Sequence, residues 1–242
     1  AVKSGDSWVI NGRKTLTTNA NTPMTKGSIV QAVTGVRPNG RHDYTCFIVE
    51  NGTPGFTLNT QKRKLMWRAS NTAELFLNNC RVSNDAILGN PGDGFKQMLA
   101  TLDGGRLSIG AMGLGCAQGA YEAALRYSKE RIQFGRPICK QQAIAFKLAD
   151  CAVEIECARN LLYKACWLRD RNRPFAKEAA MAKLYCSEMM GRIANHAVQI
   201  HGGYGLMKEY NVERFYRDQK LLDIGEGTSE VQRIVISRYI GC

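Results

Sequence analysis

The feature that most limits what this chain can fold into is a change of hydrophobic period at "LGNPGDG", residues 88–94. Before it lie short runs rich in β-branched and aromatic residues: "SWVINGRK", "GSIVQAVTG", "YTCFIVE", "GFTLNT" and "TAELFLNNCRV". Turn residues separate these runs, the pattern of antiparallel strands. After it come long Ala- and Leu-rich stretches of helical period. The reading is therefore an α+β multidomain chain, with a β domain over 1–92 and an α domain over 93–242. The β domain is a small antiparallel β-barrel or sandwich, and its opening "AVKSGDSWVINGRK" reads as the middle of a β-meander, truncated at its start. The α domain is an up-down bundle of four to five helices.

Local signals place the boundaries. Asn11-Gly12, Asn39-Gly40 and Asn51-Gly52 are each a dipeptide favoured in tight hairpin turns. Helical pattern is interrupted at "LDGGR" (102–106), "QFGRPI" (133–138), "RNRPF" (171–175) and "HGGYG" (201–205). Small residues recur at Gly110, Gly113, Gly115, Ala117, Gly119, Ala120, Ala123 and Ala124, which permits close helix approach while glycine weakens the helix itself.

Composition excludes several classes. A 44% hydrophobic content suits a packed core, and no run of eighteen apolar residues suggests a membrane span. Nine cysteines without a C-x-x-C pair argue against a disulfide framework or a zinc site, so a reducing compartment is expected. The net charge of +12 admits nucleic acid, an acidic surface or a phosphate-rich ligand as partner. Its Lys and Arg are spread along the chain, with "QKRK" at 61–64 the densest run, and lack interleaved aromatics. Nucleic acid is the less favoured partner.

Four segments carry candidate chemistry, each beside a plain structural reading. In "ERIQFGRPI", Gly135 caps a helix ending near Phe134; alternatively Arg131 and Gln133 grip a pyrophosphate. "VQIHGGYG" is either helix termination or a loop whose backbone N–H groups approach a phosphate or ring, with His201 buried or capping rather than ligating metal. In "LDGGR", Asp103 caps a helix beginning at Gly104 with a solvated Arg106, or the glycines leave room for a ligand. In "DIGEGTSEVQR", Thr228 is an N-cap and Glu230 an acid in the first helical turn. Glu226 lies ahead of the cap, where no structural rule asks for a carboxylate.

Taken in order, these segments resemble the acyl-CoA dehydrogenase family of flavoproteins over the whole chain, with short-chain, butyryl-like members most similar. "NGRKTLTTN" (11–19) and "WRASNTAELFL" (67–77) are similar to stretches of that family's middle β domain. "RIQFG", "QIHGGYG" and Arg217-Asp218 ahead of "EGT" are similar to stretches of its C-terminal helical domain. The family's N-terminal helical domain has no counterpart in the sequence. The resemblance implies FAD-dependent α,β-dehydrogenation of an acyl-CoA thioester. Glu226 would remove the Cα proton while a hydride leaves Cβ for the flavin, a task that calls for a desolvated, aimed carboxylate.

By the same resemblance Thr18 approaches the flavin ring, and Asp103, Gly104, Gly105 and Arg106 contact the CoA substrate together with Gly227. Arg131, Gln133, Phe134, Gln142 and the loop Gln199, Ile200, His201, Gly202, Gly203 hold FAD from a neighbouring subunit, and Thr228 and Glu230 also touch it. The implied partners are an acyl-CoA, an electron-transferring flavoprotein and further copies of the chain, as a dimer or tetramer. The location would be the cytoplasm of a bacterium or the mitochondrial matrix of a eukaryote. Leu16, Met66 and Gly225 depart from the family pattern, which often has tryptophan, glycine and tyrosine there. Without the N-terminal domain the 242 residues alone are expected to be inactive. The alternatives are a DNA-binding or assembly member of the same fold, or an oxidase.

Overall fold

The structure, a computed structural model, describes residues 1–242. It divides into two compact units, Ala1–Thr101 and Leu102–Cys242, each described by itself.

The first unit holds six strands: β1 (Val2–Ser4), β2 (Ser7–Thr18), β3 (Gly27–Val36), β4 (His42–Glu50), β5 (Phe56–Thr60) and β6 (Thr72–Ser83). All pairings are antiparallel, in a sheet of order β1-β2-β6-β5 and a second of order β3-β4. The two open sheets enclose one core, which selects the sandwich over the closed barrel. Period-two alternation puts Ala73, Leu75 and Leu77 of β6 inside, with Ile10 of β2 and Val30, Phe47 and Val49 of the other sheet. Each large side chain buried here contributes roughly 1.5–3 kcal/mol.

Of the three expected hairpin turns, only Asn39-Gly40 closes one, with Gly40 at φ 75° and Arg37 N–H bonded to Arg41 O at 2.7 Å. Asn11-Gly12 lies within β2 as an irregularity in its pairing with β6. Its cause is Asn11, whose Oδ1 accepts from Asn79 N–H at 2.7 Å across the sheet instead of turning the chain. Asn51-Gly52 joins β4 to β5, which belong to different sheets.

In the second unit α1 (Gly94–Glu130), whose start lies in the first, is followed by α2 (Gln142–Asp170), α3 (Ala176–His201), α4 (Val212–Asp218), α5 (Lys220–Ile224) and α6 (Ser229–Tyr239). On α2 the buried residues Leu148, Cys151, Ile155, Ala158, Leu162 and Ala165 recur every three or four positions, one apolar stripe. Some of the small residues of α1 bring helices together, whereas Gly115 faces nothing within 4 Å. A Cβ on Gly113 would stand 2.9 Å from the carbonyl oxygen of Cys186 on α3, and one on Gly110 would stand 3.2 Å from Leu162 Cδ1 of α2.

Two expected boundaries move. α1 runs unbroken through "LDGGR", so Asp103 is mid-helix and caps nothing. It ends at Glu130 and not near Phe134; β7 (Ile132–Gln133) and β8 (Arg136–Pro137) then form a small hairpin with Phe134 at φ 53° and Gly135 at φ 75° in its turn. No helix is long and apolar enough to cross a membrane.

Candidate functional site

The short segment between α5 and α6 places Glu226. α5 stops at Ile224, where Gly225 N–H bonds Leu221 O at 2.7 Å and the chain turns extended, φ −67° and ψ 151°. Glu226 then takes φ 55° and Gly227 φ 88°, before Thr228 caps α6 by accepting from Val231 N–H at 3.3 Å. A left-handed conformation costs an L-residue other than glycine roughly 1–2 kcal/mol. Glycine takes it freely, whereas Glu226 is one of eight non-glycine residues of the chain with positive φ.

The carboxylate reaches α1. A Cβ on Gly105 would lie 2.5 Å from Glu226 Oε2 and 3.0 Å from its Cδ, so only glycine leaves this seat open. Gly104 faces nothing within 4 Å. The loop's carbonyls are anchored from behind: Gln232 Nε2 donates to Glu226 O at 3.2 Å and to Gly227 O at 2.9 Å, and Lys183 Nζ donates to Gly227 O at 2.8 Å. Glu226 N–H donates to no group of the chain. The Glu226 side chain itself is exposed, so the burial expected of a base is not supplied by these residues.

Charge is concentrated beneath this loop. Arg106 is buried, not solvated, and its Nη1 pairs with Asp103 Oδ1 at 2.5 Å one turn back on α1. Lys183 of α3 is fully buried. Burial pulls its ammonium down to about 8; nearby Asp223 opposes this, Arg106 reinforces it, and Glu188 and Glu226 oppose it more weakly. Thr228 holds the Glu230 carboxyl below its ordinary value through a hydrogen bond, helped by Glu230's own backbone N–H. Thr228 is thus the cap of α6, and Glu230 an acid in its first turn.

A second site gathers three separated segments. Tyr127, Arg131, Gln133, Ile138, Ile200, His201, Gly202, Gly203, Tyr204 and Met207 line a cleft of about 630 Å³. His201 is buried, its Nδ1 2.8 Å from Ala197 O and its ring stacked on Tyr127 at 4.2 Å, and burial lowers its pKa. It is a satisfied histidine, as expected. The Arg131 guanidinium lies 5.7 Å over the Tyr204 ring. Nothing stands within 4 Å of a Cβ built on Gly202, at φ 60°, or on Gly203.

The remaining candidates do not line the cleft. Phe134 is 93% exposed, and Gln142 and Gln199 are exposed outside the cleft lining. Thr18, exposed at the end of β2, belongs to the first unit. Lys183, Gln232, Tyr127, Ile138, Tyr204 and Met207 escaped the sequence reading. Tyr127 had a usable signal, standing four residues before Arg131 at the spacing of one helix face.

Residues 92–241 match the family described as acyl-CoA dehydrogenase, C-terminal domain, and residues 1–80 match acyl-CoA dehydrogenase, middle domain. The chain belongs to the acyl-CoA dehydrogenase family. It is 55% identical over 240 residues to a probable acyl-CoA dehydrogenase of Bacillus subtilis, covering 99% of this chain and 63% of that protein. It is 46% identical over 236 residues to the human mitochondrial short-chain specific acyl-CoA dehydrogenase, covering 98% of this chain and 57% of that protein. Its structure is similar to that of butyryl-CoA dehydrogenase from Megasphaera elsdenii, with a TM-score of 0.94 and 43% identity over 99% of this chain and 62% of that one. The chain thus spans about three fifths of the length of the relatives it matches.

Proposed function

We propose that the full-length protein is an FAD-dependent dehydrogenase of short-chain acyl-CoA thioesters in which Glu226 is the base. The observation that carries this reading is the Glu226 turn: a strained left-handed glutamate, its carboxylate seated over Gly105 and its own N–H free. A thioester α-proton is a very weak acid, so the base must be held at one place and the developing enolate charge stabilised in the same step. Glu226 takes the Cα proton onto its carboxylate. The unbonded Glu226 N–H is a donor suited to the thioester oxygen as negative charge builds there. Because the carboxylate is exposed in the chain alone, its desolvation falls to the bound acyl group and to whatever covers the loop.

FAD fits the residues of the cleft. Arg131 and Gln133 offer donors for a pyrophosphate, Tyr127 and Tyr204 offer flat faces, and the open side of Gly202 and Gly203 lets a ligand approach their backbone. When bound, the flavin supplies the acceptor for the hydride that leaves Cβ. Phe134, Gln142, Gln199, Thr228 and Glu230 complete its contacts in this reading.

The cleft and the proposed base lie far apart within one chain. Lys183, bonded to the Glu226 loop, and Ile200, in the cleft, lie seventeen residues apart on the continuous helix α3, about 26 Å. On α1, Gly105 and Tyr127 are twenty-two residues apart, about 33 Å. This separation supports a site completed by a second copy that brings its cleft to this base, with the protein working as a dimer or tetramer. Phe134, apolar and exposed beside the cleft, suits such a contact. An electron-transferring flavoprotein would reoxidise the flavin, and the nine free cysteines suit a reducing compartment.

The test is a panel of acyl-CoA thioesters offered anaerobically to full-length protein, read as bleaching of the flavin absorbance. Butyryl-CoA and its neighbours are expected to bleach it, and Glu226→Gln to keep FAD yet lose at least about a thousandfold in bleaching rate. Persisting bleaching in Glu226→Gln removes Glu226 as the base.

A further inference from the structure

We propose that Lys183 and Gln232 are positioning residues that together hold the Glu226 backbone in its left-handed conformation. The inference rests on the reading of Glu226 as base. A non-glycine residue stays in that region only when its surroundings over-determine it. Here they do so through two successive carbonyls. Gln232 Nε2 reaches both Glu226 O and Gly227 O, and Lys183 Nζ supplies the second donor to Gly227 O at 2.8 Å. Both donors come from helices, α6 and α3, so the turn is tied to rigid elements at either side.

Lys183 is an expensive choice for packing alone. Lysine is almost never fully buried without a charged partner, and an apolar side chain of like volume removes the desolvation cost. The carboxylate nearest in influence, Asp223, is already bonded to Lys220 at 2.9 Å, and the direct acceptor of Lys183 is a neutral carbonyl. The ammonium is therefore kept for what it holds.

The experiment uses full-length protein with Lys183→Met, which keeps the stem and removes the donor, alongside Gln232→Met and Glu226→Gln. Lys183→Met is expected to retain flavin, to bleach at least about tenfold more slowly with butyryl-CoA, and to keep the half-saturating concentration within about threefold. Amide hydrogen exchange at Gly225, Val231 and Gln232, the bonded N–H groups that flank the turn, is expected to speed up while α1 and α2 stay as in the native protein. A folded Lys183→Met that bleaches at the native rate overturns the inference, as does faster exchange confined to α3. If Lys183→Met does not fold, Gln232→Met is read in its place, and native bleaching there overturns it equally. Bleaching that survives in Glu226→Gln fails the base assignment and the inference with it; a dead Glu226→Gln beside a native-rate Lys183→Met fails the inference alone.

Discussion

At the scale of single residues, Gly105 and Glu226 are one feature seen from two sides. A methyl group at position 105 would meet Glu226 Oε2 at 2.5 Å, but that oxygen ends a flexible side chain and can move. Alanine in a helix interior is also favoured over glycine by roughly 0.5–1 kcal/mol. Gly105→Ala is therefore expected to melt at the native temperature or slightly above, and to bleach its flavin at least about tenfold more slowly with butyryl-CoA. Native bleaching would show that the seat over Gly105 is not where the base acts. Little of this pairing was legible beforehand: Glu226 stood out because no capping rule explained it, but its left-handed φ and its partner on α1 have no local code. Lys183 was less legible still, since an isolated lysine in a helical stretch reads as solvated and only tertiary packing buries it.

Elements were read where local preference and final structure agree. The β-branched runs became β2, β3, β4 and β6, and Thr228 with Glu230 opened α6 as capping chemistry requires. The misreadings share a cause. Gly104 and Gly105 break a helix by propensity, yet α1 continues through them because tertiary contacts outweigh a penalty of about 1 kcal/mol each. Asn11-Gly12 favours a hairpin, yet the Asn11 bond to Asn79 spends the same side chain on an irregularity within the sheet. The glycines of α1 should accordingly separate by what they face. Gly113→Ala drives a Cβ to 2.9 Å from the backbone of α3, which cannot yield cheaply, and is expected to lose about 1–3 kcal/mol. Gly115→Ala meets nothing within 4 Å and is expected to gain about 0.5–1 kcal/mol. Denaturant midpoints of the two variants check both signs.

For the whole molecule, the separation of the proposed base and cleft along α3 sets a test of whether sites are shared between copies. On the proposed reading Glu226→Gln lacks the base and Arg131→Ala weakens the cleft, so each alone is expected to be nearly inactive. In a mixed dimer one site combines both defects and the other has neither. Equal amounts of the two variants, unfolded and reassembled together, should regain about a quarter of native activity if pairing is random. Activity that stays at the level of the separate variants would mean that each chain builds its own site. The left-handed glutamate, finally, sets two selections against each other at one position. Glycine at 226 would relieve the backbone, so breeding this protein for heat tolerance alone would favour discarding the residue proposed here as its base.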